Sequence, residues 1–167
     1  MAAATGQTVA VAPDVTVTVT GNADLRPLRI LSVDDSPDNQ LLIGSFLKRT
    51  PHTVLYAAHG LEALGLVQGQ DPDGRQPVDL ILMDVQMPVM DGYTATRQLR
   101  QWEQEQGRLP VPIIAITAHA LESDAARSIA AGCNVHLTKP VTRQRLLETI
   151  REVMRVAQPG GDDAACV

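Results

Sequence analysis

Asp34, Asp35, Asp84, Thr117 and Lys139 are the residues whose types and positions in this chain suit them to chemistry, because each stands where an apolar run stops. Leu80-Ile81-Leu82-Met83 ends in Asp84, the run Leu28–Val33 in Asp34-Asp35, Ile113–Ile116 in Thr117, and Val135–Thr138 in Lys139. One Asp after a strand reads as a helix cap or a turn former. Four runs ending this way call for a shared reason. Three carboxylates brought into one pocket repel, and each disfavours ionisation of the others. A hard divalent cation with oxygen ligands relieves this. Magnesium suits the task, because it takes a few carboxylates, keeps some waters and leaves a position for a phosphate. Lys139 then neutralises a phosphoryl oxygen as a compact point charge, and Thr117 donates a hydroxyl hydrogen bond to another. Asp84 becomes a carboxylate nucleophile toward phosphorus. Phosphoryl transfer chiefly needs in-line positioning and neutralised equatorial oxygens, and this set supplies both.

The elements that must position these residues are legible as an alternation. A short apolar run bounded by turn signals reads as a strand buried on both faces of a parallel sheet, and chemistry in such sheets sits beyond the carboxyl ends of the strands. Strands are predicted at Leu28–Val33, Thr53–Ala57, Val78–Met83, Ile113–Ile116 and Val135–Thr138. Ser36-Pro37 reads as N-cap and first residue of a helix with a Leu41, Leu42, Phe46 stripe, which Pro51 stops. Leu61, Leu64 and Gln68, with Val67, mark a second helix, followed by a polar loop from Gly69 to Pro77. The Met87-Pro88 loop after Asp84 cannot continue the strand. A third helix runs from Tyr93 to about Gln106 with Leu99 and Trp102 inward, and Gly107 ends it. Leu121, Ala125 and Ile129 mark a thinly apolar fourth helix closed by Gly132, expected to be the most loosely packed. Leu146, Leu147, Ile150, Val153 and Met154 give a strongly amphipathic fifth. Five strands alternating with five helices predict an α/β fold, a parallel sheet with helices on both faces. Right-handed crossovers then place all the strand ends on one edge, which gathers the five polar residues.

The length of 167 residues fits one domain plus tails: residues 1–27 as a flexible N-terminal tail, 28–157 as the domain and 158–167 as a C-terminal tail. Val15–Thr20 alternates with period two, but a lone strand with nothing evident to pair with is marginal, so pairing with a sheet edge or another chain is the less favoured reading. Aromatics at 2% leave few stacking surfaces, and a net charge of −5 argues against a nucleic-acid surface. No run has the length of a membrane span, and the first residues lack a charged n-region and a long apolar h-region. Cys133 and Cys166 have no metal-ligand spacing and read as reduced thiols of a cytoplasmic protein.

From Arg29 to about Val156 the chain resembles the receiver domain of bacterial two-component response regulators. The resemblance is carried by Val33-Asp34-Asp35-Ser36, by Met83-Asp84-Val85-Gln86-Met87-Pro88-Val89-Met90-Asp91-Gly92, by Ile116-Thr117-Ala118 and by Thr138-Lys139-Pro140. Each piece alone is weak; all four in order, each closing a predicted strand, are specific. The resemblance implies a flavodoxin-like (βα)5 three-layer sandwich with strand order 2-1-3-4-5. It implies phosphoryl transfer from a phosphohistidine to Asp84. It further implies Mg2+ held by Asp35, Asp84 and the Gln86 carbonyl, with Asp34 acting mainly through water. Thr117 and Lys139 would hold the phosphoryl oxygens, and a cis peptide would precede Pro140.

The wording from Met83 to Tyr93, with Ile116-Thr117-Ala118-His119-Ala120-Leu121, is similar to receivers attached to hybrid sensor kinases. Such receivers exchange phosphate with a histidine kinase or a histidine-phosphotransfer domain, and these are the implied partners. Too few residues follow Val156 for a helix-turn-helix output, so no direct DNA binding is expected. The chain is then a phosphoryl carrier or binding switch acting alone, or one piece of a larger system. Its output face would be the fourth helix, fifth strand and fifth helix. Many receivers carry an aromatic rotor on the fifth strand; here the matching residue is His136, either a plain half-exposed histidine or a polar rotor. His119 and Gln86 either border the path of the water that attacks the acyl phosphate or are plain solvent-facing side chains. Two other classes remain open. Haloacid-dehalogenase-type phosphatases also use an Asp nucleophile, but they resemble Asp-x-Asp after an early strand, and Gln86 occupies that second position. A phosphorylation-independent scaffold would keep the fold without the chemistry.

Overall fold

Every residue of Leu80–Asp84 is buried, and this strand occupies the middle of a five-stranded parallel sheet. The computed structural model describes residues 26–69 and 78–157, together with the backbone at Val9–Ala10 and Thr16–Val17. In chain order the elements are β1 (Arg29–Val33), α1 (Pro37–Leu47), β2 (Thr53–Ala57), α2 (Gly60–Gln68), β3 (Leu80–Asp84), α3 (Gly92–Glu105), β4 (Ile113–Thr117), α4 (Glu122–Ala131), β5 (Val135–Thr138) and α5 (Arg143–Ala157). The spatial order is β2-β1-β3-β4-β5, the flavodoxin-like 2-1-3-4-5 arrangement that the family resemblance implied. Side chains alternate across the sheet. Leu31, Val33, Ile81, Met83, Ile113 and Ala115 pack with α2 and α3 on one face. Ile30, Leu80, Leu82, Ile114, Ile116 and Leu137 pack with α1 and α5 on the other. Burying an aliphatic side chain contributes roughly 1.5–3 kcal/mol, so the four apolar residues of β3 anchor both layers at once.

Register explains how the strand ends come level. Val33 pairs with Met83, Asp84 with Ile116, and Thr117 with Thr138. The residues following β1 and β5, and the last residues of β3 and β4, therefore share one edge.

The helices differ from expectation in which side they turn inward. On α1 the Ser36 side chain accepts from the Asn39 N–H and Pro37 opens the first turn, as the sequence predicts. Yet Leu41 and Leu42 stand 72% and 46% exposed, and the inward residues are Ile43 and Leu47, with Phe46 at the rim. The reason is Gln40, whose amide reaches the carbonyls of Asp34 and Ala57 at 2.8 and 3.1 Å and fixes the rotation of the helix. Leu61 of α2 likewise faces solvent, while Gly60, Ala63, Leu64 and Val67 are buried. A Cβ at Gly60 would come within 2.8 Å of the Ala95 Cβ, so α2 and α3 approach through small residues that carry no hydrophobic stripe. On α4, Leu121 and Ile129 are exposed, and Ser128 and Ala131 are the buried positions. The fifth helix buries Leu146, Ile150, Val153 and Met154, with Leu147 partly covered, as its pattern predicts.

Of the N-terminal segment, Thr16–Val17 pairs antiparallel with Val9–Ala10, so the period-two stretch finds its partner within the same segment. The rest of residues 1–25, the loop residues 70–77 and the C-terminal residues 158–167, including Cys166, lie outside the described residues. Among those described, no helix is long and apolar enough to cross a membrane.

Candidate functional site

The β1–α1 turn and the end of β3 bring three carboxylates together. One oxygen each from Asp34, Asp35 and Asp84 lie within 4.8 Å of one another. Asp34 and Asp84 are 7% and 4% exposed, whereas Asp35 is open to solvent. Asp34 is held by its own turn: its Oδ1 accepts from the Ser36 N–H at 2.9 Å and from the Asn39 amide at 3.3 Å. Asp84 Oδ1 accepts from the Gln86 N–H at 3.3 Å. Lys139 stands between them, its Nζ 3.4 Å from Asp34 Oδ2 and 3.4 Å from Asp84 Oδ1. Burial pushes the Asp84 carboxyl above its ordinary range, and the neighbouring Asp34 pushes the same way, while Lys139 opposes both. Three carboxylates against one ammonium leave an excess of negative charge in a pocket with an open Asp35 side. Hard oxygen donors in this number fit Mg2+.

The loop after β3 is shaped to leave Asp84 at the strand end. The Gly92 N–H donates to the Val85 carbonyl at 3.0 Å, and a Cβ on Gly92 would collide with the Asp84 carbonyl and press on Val85 Cα. Only glycine lets the start of α3 fold back this closely. Between them, the Met90 N–H donates to the Pro88 carbonyl at 2.7 Å around Val89, which has φ +68°. That is a γ-turn with a β-branched residue in the left-handed region, a strained local conformation. Asp91 caps α3, accepting from the Thr94 N–H at 2.9 Å and the Thr94 hydroxyl at 3.0 Å.

Thr117 is 1% exposed, and its Oγ1 accepts from the His119 N–H at 3.1 Å. Its carbonyl accepts from the Lys139 N–H at 2.7 Å, which ties the ends of β4 and β5 together. The peptide between Lys139 and Pro140 is cis. His136 pairs in register with Ala115, on the sheet face that carries α3 and α4. It is half-buried, and its Nε2 lies 3.5 Å from the Thr138 hydroxyl. An open cleft of about 690 Å3 adjoins the acidic pocket, between the β3–α3 loop and α4, with Gln86, Thr117 and His119 on its walls.

Sequence reasoning missed Asn39 and Gln40, which brace Asp34 from α1. Both read as ordinary polar residues of an amphipathic helix, and nothing in their spacing marks them. It also passed over Tyr93, which is buried and bonds to α4.

Residues 30–151 match the family described as Response regulator receiver domain. The chain is 40% identical over 125 residues to the sensor histidine kinase GacS of Pseudomonas protegens, a match covering 75% of this chain and 13% of that protein. It thus spans only about an eighth of the kinase it resembles. Among solved structures, it is 38% identical to the receiver domain of the Pseudomonas aeruginosa sensor histidine kinase PA1611, which has a magnesium ion coordinated in its active site cleft. That likeness covers 77% of this chain and 98% of the other, with a TM-score of 0.65. It is also similar, at 32% identity and TM-score 0.72, to a chain of the Saccharomyces cerevisiae co-crystal of the histidine phosphotransfer protein Ypd1 with the receiver domain of Ssk1. There the coverage is 82% of this chain and 94% of the other.

Proposed function

The chain belongs to the response regulator receiver family, and from that premise we propose that it accepts a phosphoryl group from a phosphohistidine onto Asp84. The observation that carries this reading is Lys139 poised equally between Asp34 and Asp84, inside a cluster of three carboxylates at one sheet edge. In the transfer, an Asp84 carboxylate oxygen forms a bond to phosphorus as the bond from phosphorus to the donor imidazole nitrogen breaks. The electron pair stays on that nitrogen. Asp35, Asp84 and the Gln86 carbonyl would hold Mg2+, with Asp34 acting through water, and the ion would neutralise charge on the phosphoryl oxygens. Lys139 balances a further oxygen once it is released from its two carboxylates, and the Thr117 hydroxyl donates to another. Gln86 and His119, which line the adjoining cleft, would then govern the access of water to the acyl phosphate.

The partners we propose are a histidine kinase or a histidine-phosphotransfer domain, on the precedent of the Ypd1–Ssk1 complex. The output is a change in protein binding at the face formed by α4, β5 and α5, with Thr117 as the first element to move. A turnover phosphatase is disfavoured because Gln86 offers no carboxyl acid/base two residues after Asp84.

Intact mass after incubation with Mg2+ and acetyl phosphate tests the reading. One labile phosphoryl adduct on the wild type, absent from Asp84→Asn, is the expected result. If neither protein gains the adduct, even from a phosphorylated histidine-phosphotransfer domain, the scaffold reading takes its place. A rotor role for His136 predicts that His136→Ala weakens the dependence of partner affinity on phosphorylation, whereas a plain surface histidine leaves it unchanged.

A further inference from the structure

We infer that Tyr93 holds α4 in its resting position, and that loading of Asp84 works against this hold. The inference rests on the receiver reading and names a positioning residue for its switch. Tyr93 is the first residue after Gly92, whose backbone is pressed against the Asp84 carbonyl. Tyr93 is 6% exposed. Its hydroxyl donates to the Asp124 carbonyl at 3.2 Å, and the Ser128 hydroxyl donates to the same carbonyl at 2.9 Å while lying 3.4 Å from the Tyr93 oxygen. From outside, the Arg127 guanidinium covers the ring at 5.1 Å and pairs with the Asp124 carboxylate at 3.9 Å. One side chain at the start of α3 thus gathers three residues of α4.

Among the described residues the helix has little else to hold that end: Leu121, at its N-cap, makes no side-chain cap hydrogen bond and faces solvent. The far end is fixed differently: Arg100 donates to the Gly132 carbonyl at 3.0 and 2.9 Å. The helix is therefore pinned at its C-terminus and latched by Tyr93 near its N-terminus, the end joined to Thr117 and His119. The open cleft lies against this latch, lined by Met87, Tyr93, Thr117, His119 and Arg127, and gives the connecting loop room to move. If Thr117 is drawn toward a phosphoryl group, residues 118–121 follow, and the first turn of α4 slides against Tyr93. The bonds at Asp124 and Ser128 then favour the resting state alone. Removing an interaction found in one state only must raise the affinity of a ligand that selects the other.

The test uses the full chain with Mg2+ and beryllofluoride as the phosphoryl mimic, comparing wild type, Tyr93→Phe and Arg127→Ala. Tyr93→Phe keeps the ring and its packing, and Arg127 is a surface residue, so both variants retain the fold. Loss of one hydrogen bond from the resting state predicts beryllofluoride binding about three- to tenfold tighter in Tyr93→Phe. The same direction, with a smaller change, is expected for Arg127→Ala. Amide exchange of α4 should be faster in metal-free Tyr93→Phe, with α5 unchanged. A residue that merely stabilises the fold would lower the melting temperature without tightening the mimic, and that outcome, or weaker binding, overturns the latch. If the wild type itself takes no beryllofluoride, the receiver reading fails and the latch with it.

Discussion

The two edges of the sheet bury acidic groups to nearly the same depth and put them to opposite uses. Glu103, near the amino-terminal edge, is 2% exposed, and Asp84, at the carboxyl edge, is 4% exposed. Glu103 is fully partnered: one oxygen accepts from Arg100 at 2.7 Å and the other from the Val111 N–H at 2.8 Å. Arg100 also donates to the carbonyls of Val111 and Gly132 and to Asn134 Oδ1. Asp84 has contacts of 3.3 and 3.4 Å and two like charges nearby. The same contrast holds along each edge. At the amino-terminal edge the N–H groups of Leu28, Arg29, Val111 and Ile113 each meet a side-chain acceptor: His52, Asp79, Glu103 and Asn134. At the carboxyl edge the carboxylates face one another. Burial alone therefore does not distinguish a structural charge from a functional one. What distinguishes them is whether the surroundings already complete the group or leave it needing a ligand.

The largest expected effect breaks the completed edge. Glu103→Ala leaves the Arg100 guanidinium without its counter-charge and the Val111 N–H without its acceptor. Removing one partner of a buried pair costs roughly 3–5 kcal/mol. Chemical denaturation should show a loss of that order, with phosphoryl acceptance of the folded fraction intact. A loss below about 1 kcal/mol, the range of exposed pairs, would erase the contrast between the edges.

The next effect has the opposite sign. Asp84→Asn removes one carboxylate from the crowded edge while keeping an acceptor for the Gln86 N–H. In metal-free buffer its stability should rise by on the order of 1 kcal/mol, the scale left from a screened like-charge contact once the attraction of Lys139 is also lost. Mg2+ should then reverse the ranking. A ligand at a hundred times its dissociation constant stabilises by about 2.7 kcal/mol, and wild type should gain more of this than the variant. Thermal melts with and without Mg2+ check both halves. A lower melting temperature for metal-free Asp84→Asn would mean that the carboxyl edge is as complete as the other.

These two edges were unequally legible in the sequence. The carboxyl edge announced itself, because Asp34, Asp35, Asp84, Thr117 and Lys139 each interrupt an apolar run at a strand end. The parallel sheet with helices on both faces followed from the alternation, and its strand order from the resemblance to the receiver family. The amino-terminal edge left no such mark, since Glu103 and Arg100 sit on α3 among Gln, Arg and Glu residues that read as a solvated face. Only the fold brings Val111 and Gly132 to them. Helix faces were misread for a related reason. Apolar periodicity pointed to Leu41, Leu61 and Ile129, but rotation of these helices is set by polar or small contacts: Gln40 on α1, Gly60 on α2 and Ser128 on α4. A hydroxyl or amide that fixes a helix by one hydrogen bond carries no period.

The smallest effect reads the completed edge through pH. His52 precedes β2, and its Nδ1 accepts from the N–H of Leu28, a residue 1% exposed. Burial lowers the His52 pKa from its ordinary 6.5. Accepting that hydrogen bond requires Nδ1 to be without a proton, which favours the neutral ring as well. In the unfolded chain the ring protonates near 6.5, so below that pH the unfolded state binds more protons than the folded one, and stability falls as pH falls. The contribution is complete above 6.5 and is lost through the window between 6.5 and the lower folded value. Because the ring is only half-buried, solvent screening holds the effect to a fraction of 1 kcal/mol. His52→Asn keeps a side-chain acceptor for Leu28 but does not titrate. Melting temperatures between pH 7.5 and 5 should therefore decline more steeply for wild type than for His52→Asn. Equal slopes would mean that protonation does not disturb the bond to Leu28. A shallower slope for wild type would mean that the folded edge prefers the charged ring, contrary to an edge completed by neutral acceptance at this position.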